Sequence, residues 1–151
     1  MYVRTTLYDA ADSTTFFDQF NFVDYPDPAK AASSVANFTD KSTAGALGLY
    51  SHSESSVFLR VDHRTRWTAS TAEQAVRRPS LRLISKQGFG EGLFVLDVRH
   101  MPVGCGTWPA WRLLKDFHGD KTMEKLEETQ IREIDIIEMS NFVQTNQATL
   151  H

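Results

Sequence analysis

Apolar residues in this chain recur at every second position, in short runs closed off by glycine, proline or polar turn residues. Val57, Leu59 and Val61 alternate with Phe58, Arg60 and Asp62. Leu81 and Leu83 alternate within Ser80–Ser85. A period of two puts neighbouring side chains on opposite faces of an extended strand. Short strands separated by turn chemistry build sheets packed on sheets. The expected fold class is therefore all-β, a β-sandwich or a jelly roll, over residues 1–151 as one domain.

In chain order, Phe16–Phe22 reads as one strand with Phe16, Phe20 and Phe22 on a face. Tyr25-Pro26-Asp27-Pro28 is a turn, since each proline fixes its own φ and restricts the residue before it. Residues 29–46 are small and polar; mostly loop with a short strand is expected, with room for a short helix near Ala29–Val35. Strands follow at Leu47–Tyr50 and Val57–Val61, then loop from His63 to Arg78. Gly88–Gly92 is a glycine-rich turn feeding Leu93–Val98, an apolar run of strand length. Lys121–Arg132 is charged and reads as a short amphipathic helix or a solvated loop. Ser140–Gln144 resembles a turn, and Thr145–His151 begins a further strand.

Composition narrows the function. A net charge of −3 makes no electrostatic case for nucleic acid or a membrane surface. No apolar run has the length of a membrane span. The N-terminal residues lack the apolar core of a signal peptide, so the chain as written would stay in the cytosol. Cys105 is the single cysteine, which excludes an internal disulfide. His52, His63, His100 and His118 have no ligand-like spacing. Asp9, Asp12 and Asp18 do not follow a calcium loop. No cofactor and no metal are expected.

The chemistry concentrates in Glu133-Ile134-Asp135-Ile136-Ile137-Glu138. Glu133 and Asp135 share a strand face, and Glu138 falls out of phase. One extra residue, a β-bulge, would rotate Glu138 back to join them. Three crowded carboxylates resist joint ionisation, which raises the pKa of at least one. The result is a proton donor beside an anionic nucleophile, the pair that glycosidic cleavage needs. A half-buried strand with a wet acidic face would read the same way.

Several stretches, in order, resemble glycoside hydrolase family 16, above all fungal laminarinase-type endo-β-1,3(4)-glucanases. They are Phe16–Phe22 with Asp27-Pro28, Arg78–Leu83, Gly92–Pro102 running into Gly104–Trp111, Glu133–Glu138, and Thr145–His151. The likeness is firmest from Arg82 onward. It implies a concanavalin A-like jelly roll and a retaining mechanism acting on a β-glucan polysaccharide. In that scheme Glu133 matches the nucleophile, Glu138 the acid/base, and Asp135 the residue that holds the nucleophile. Trp108 matches a sugar-binding ring and His151 a cleft histidine. The family often carries structural calcium, for which no site can be placed here.

The chain also departs from the pattern. The family has two tryptophans around a Pro-Ala pair, one residue further apart than here. Either Trp111 is that second, substrate-binding ring, shifted by a deletion, or Arg112 replaces it. Ile131-Arg132 stands where a Trp-Pro and glycines usually lead into the first glutamate, so one cleft ring is missing. The resemblance covers about the first half of the family's catalytic domain. The expectation is thus a partial domain with an insertion of helix or loop near 119–132, impaired or inactive as a catalyst. As a cut sandwich it would be aggregation-prone, and a monomer if complete. The alternative is a non-catalytic β-glucan-binding module. Family members of this kind are secreted.

Overall fold

Seven residues, Phe16 to Phe22, carry four phenylalanine rings, and burying them shapes the start of the chain. The computed structural model describes residues 4, 6–10, 16–24, 36–66, 77–115 and 132–151. In it the aromatic run is not one strand. Phe16–Gln19 winds into a 3₁₀ turn and only Phe20–Phe22 (β1) is extended. A continuous strand would send Phe16 and Phe17 to opposite faces. The turn instead brings both rings inward. Phe17 is 5% exposed and lies 4.5 Å from the Tyr50 ring, while Phe16 meets Phe20 at 5.3 Å. Tilted contacts of this kind add to the gain from apolar burial.

The chain divides into two units, 1–88 and 89–151. In the first, β1 pairs antiparallel with β6 (Leu83–Ser85), and β2 (Ala36–Phe38) pairs parallel with β5 (Arg78–Ser80). β3 (Tyr50–His52) and β4 (Val57–Leu59) form a hairpin, closed by Ser53 N–H donating to the Ser56 carbonyl at 2.8 Å. β3 starts three residues later than its alternation predicts. Helix α1, Lys41–Ala46, and the turn that ends it take up the preceding stretch.

That helix corrects the expectation of loop, and its ends explain it. Asp40 Oδ1 accepts from Ser42 N–H at 2.8 Å and Thr43 N–H at 3.0 Å, satisfying donors that a helix start leaves bare. At the other end Gly48 has φ 67°. Its N–H bonds the Gly45 carbonyl at 3.0 Å, and Leu49 N–H reaches the Ala44 carbonyl at 2.9 Å. This is a Schellman stop, which favours glycine. It drops Leu49 into the interior beside Ala44, both 0% exposed. The possible helix at 29–35 lies outside the described residues.

In the second unit, Leu93–Val98 is not a strand. A strand needs a neighbour for its backbone groups, and none pairs with this run among the described residues. Leu93 and Val95 stand 69% and 79% exposed. The sheet here has three strands in the order β7 (Ala110–Leu114), β8 (Glu133–Glu138), β9 (Thr149–Leu150), all antiparallel neighbours. The strand expected over 145–151 is thus confined to its end. Of the segment near 119–132 only Arg132 is described. Among the described residues the elements are nine strands, one six-residue α-helix and the 3₁₀ turn at Phe16–Gln19, the all-β class that the alternation predicts.

Candidate active site

The acidic strand is the middle of its sheet, and its register slips. Glu138 pairs with Ala110 and Ile137 with Trp111, but Asp135 pairs with Arg112. Ile136 therefore has no partner on β7. One extra residue on one strand is a β-bulge, and it restores phase. Glu133, Asp135 and Glu138 now oppose Leu114, Arg112 and Ala110. Those are alternate residues of β7, so the three acids share a face.

A bulge takes backbone groups out of the ladder, and they need other partners. Asn146 supplies them. Its Nδ2 donates to the Ile136 carbonyl at 2.8 Å, and its Oδ1 accepts from Glu138 N–H at 3.1 Å. The carboxamide acts as a surrogate peptide group across the slip. Sequence reasoning missed this residue; its only signal is an amide side chain just past the turn after Glu138.

Around Glu133 the charges interlock. Arg112 Nη1 donates to Glu133 Oε1 at 2.6 Å. Its Nε lies 3.7 Å from Asp135 Oδ1. His151 Nε2 stands 3.3 Å from Asp135 Oδ2, placed there because Glu133 and His151 exchange both backbone bonds, at 3.3 and 3.0 Å. Asp135 is 1% exposed and its Oδ1 lacks a hydrogen bond. Burial pushes the Glu133 carboxyl above the ordinary glutamate value; Arg112 opposes this and the neighbouring Asp135 adds to it. Desolvation disfavours the charged form more than the guanidinium favours it. The expectation of a raised carboxyl on this face is met. Its leading cause is burial rather than like-charge crowding, and it falls on Glu133.

Trp108 reaches the same face from the loop before β7. Its indole N–H donates to Glu138 Oε1 at 2.9 Å. Asn141 holds that loop: its N–H bonds the Thr107 carbonyl at 2.8 Å, and its Oδ1 accepts from Gly106 N–H at 2.9 Å. Both residues have positive φ, 56° for Asn141 and 74° for Gly106, a region that asparagine tolerates and glycine enters freely. Trp108 and Glu138 border a depression of about 270 Å³, with Met139, Ser140, Thr145 and Gln147. Trp108 is 66% exposed, so its ring is open to a ligand.

Trp111 does not join this group. It opposes Ile137, on the other face of the sheet, because a period of two sends 111 and 112 to opposite sides. Arg112 is the residue of the pair that meets the acids. Of the six residues singled out in the sequence, Glu133, Asp135 and Glu138 share a face, His151 meets Asp135, Trp108 meets Glu138, and Trp111 lies on the other face. Arg112 and Asn146 are added. Among the described residues no three His, Cys, Asp or Glu side chains could hold a metal ion, and Cys105 is free and exposed. No described helix is long and apolar enough to cross a membrane.

The described strands are of the all-β class, and three acids share one face of the second unit's sheet. The chain belongs to glycoside hydrolase family 16: the model of the XgeA-like, catalytic GH16 domain matches residues 20–151. It is 38% identical over 139 residues to a probable glycosidase of Schizosaccharomyces pombe, covering 91% of this chain and 28% of that protein. It is 36% identical over 146 residues to an endo-1,3(4)-beta-glucanase of Arthroderma benhamiae, covering 96% of this chain and 28% of that protein. Among solved structures it resembles laminarinase 16A from Phanerochaete chrysosporium, with β-glucans in both donor and acceptor sites. The TM-score is 0.69 at 35% identity, over 91% of this chain and 41% of that chain. An elongating family 16 β-1,3-glucosyltransferase matches at TM-score 0.69 and 31% identity, with the same coverage. The chain thus spans 28% of the length of these two curated relatives.

Proposed function

We propose that residues 1–151 contribute part of one catalytic domain that cleaves internal β-1,3 or β-1,4 glucosidic bonds of a β-glucan with retention. Glu133 attacks the anomeric carbon and forms a glycosyl-enzyme. Glu138 gives its proton to the departing oxygen, then takes one from water to release the sugar. Asp135 holds Glu133 in place, and Trp108 offers an apolar face to a pyranose. The observation that carries this reading is the slip at Ile136, which turns Glu138 toward Glu133 and Asp135. The names of its relatives and the glucan ligands of the laminarinase support the substrate class. The test is release of reducing ends from laminarin or lichenan. Glu133→Gln should cut turnover by about 10³-fold or more. Equal silence of wild type and variant in folded samples overturns the proposal.

The exposure of Trp108 favours a second reading, binding of β-glucan without turnover. Retention on insoluble β-glucan with no product, lost in Trp108→Ala, would establish it.

A further inference from the structure

Arg112 is the one cation of β7 that meets the acidic face, and nothing in the proposed reaction uses it. It is half-buried, with 28% of its side chain exposed, between Glu133 at 15% and Asp135 at 1%. Its reach to two carboxylates at once, 2.6 and 3.7 Å, suits a planar guanidinium with several fixed donors and not a point charge. The ladder places it there. Arg112 sits directly across from Asp135, and Glu133 is the next in-phase residue along β8.

We propose that Arg112 is a positioning residue for Glu133, opposing its protonation and aiming its carboxylate along the acidic face through an ion pair shared with Asp135. The inference rests on the catalytic reading of Glu133 for its purpose, but not for its geometry. A nucleophilic carboxylate that is desolvated tends to hold its proton and lose its nucleophilicity. Among the described residues, the charged groups facing Glu133 are Arg112 from β7, Asp135 from its own strand and His151 after β9. Asp135 opposes ionisation of Glu133, and His151 helps when protonated. Arg112 makes the shortest of these contacts. One oxygen of Glu133, Oε1, is tied to the guanidinium, which fixes the direction of the other.

The test follows the carboxyl carbon of Glu133 by ¹³C NMR during a pH titration, with Glu133→Gln to assign the signal. Arg112→Met removes the charge and should raise the midpoint by about one to three pH units. Arg112→Gln keeps a donor without the charge; it should raise the midpoint likewise and serves where Met fails to fold. Arg112→Lys should return most of the shift. A midpoint unchanged in a folded neutral variant, or a Lys variant as shifted as the neutral ones, overturns the proposal. Where wild type turns over laminarin, the acid limb of kcat/KM should move with the midpoint, with kcat falling more than KM changes. A wild type silent on laminarin whose neutral variants still shift the midpoint removes the catalytic reading and leaves the role of Arg112 standing. Turnover with no shift does the reverse.

Discussion

Both units of this chain bury a carboxylate, but among the described residues only the first also encloses apolar side chains. Residues 1–88 enclose Phe17, Ala44 and Leu49 as an apolar core, together with Thr39, Asp62 and Ser80. In 89–151 the single buried side chain among the described residues is a carboxylate, Asp135. The same unit leaves Leu93, Val95, Phe142 and Leu150 between 67% and 79% exposed. The first unit is held by packing and by helix caps. The second is held by a strand ladder, a bulge clamp and a shared ion pair. Burying a charge costs free energy that paired partners recover only in part. A region that encloses a carboxylate in place of a leucine therefore gives up stability where its chemistry sits.

The difference makes predictions that urea denaturation can rank. Leu49→Ala should lower the unfolding free energy by about 2–5 kcal/mol, because Leu49 is fully enclosed. Leu93→Ala, at 69% exposure, should change it by less than about 0.5 kcal/mol. Equal losses at the two positions would break the comparison. Asp40→Ala removes the α1 cap and should lower stability by less than Leu49→Ala does; rescue by Asn but not by Val would tie the loss to capping.

Asn146→Ala probes the clamp of the second unit. It leaves the Ile136 carbonyl and the Glu138 amide to water, since the site is exposed. The cost should be about 0.5–1.5 kcal/mol, with faster hydrogen exchange at the Glu138 amide. Unaltered exchange there would mean that the ladder alone holds the bulge.

The smallest effect has the opposite sign. Glu133 has a raised pKa, so the fold favours its protonated form. That contribution is present below the ordinary glutamate value and is lost as pH rises through the raised one. Glu133→Gln keeps an acceptor for Arg112 without the ionisation. Its melting temperature relative to wild type should climb as pH is taken upward across that window. A difference flat with pH would show that Glu133 ionises in the fold as readily as in the unfolded chain.

Much of this was legible in the residues themselves. The spacing Glu133, Asp135, Glu138 breaks a period of two, and only an inserted residue puts the third acid on the face of the first two. Ile136 is that residue. The helix at Lys41–Ala46 carried its own signals in Asp40 and Gly48, outweighed by the low apolar content around them. Other features were not legible. Alternation in Phe16–Phe22 cannot say that Tyr50 stands where a 3₁₀ turn brings Phe17 against it. The apolar run Leu93–Val98 reads as a strand, yet a strand exists only where a neighbour takes its hydrogen bonds.

The sequence by itself determined the all-β class and the acidic hexapeptide, because side-chain periodicity and local turn chemistry act between near neighbours in the chain. The tertiary structure decided that Arg112 rather than Trp111 meets the acids, and that Asn146 closes the bulge. Those outcomes depend on the register between two strands distant in the chain, with Arg112 and Glu133 21 residues apart, and on an amide reaching back across a turn. Such pairings are set by which backbone groups remain unsatisfied after the sheet has formed, and no single stretch of residues contains that information.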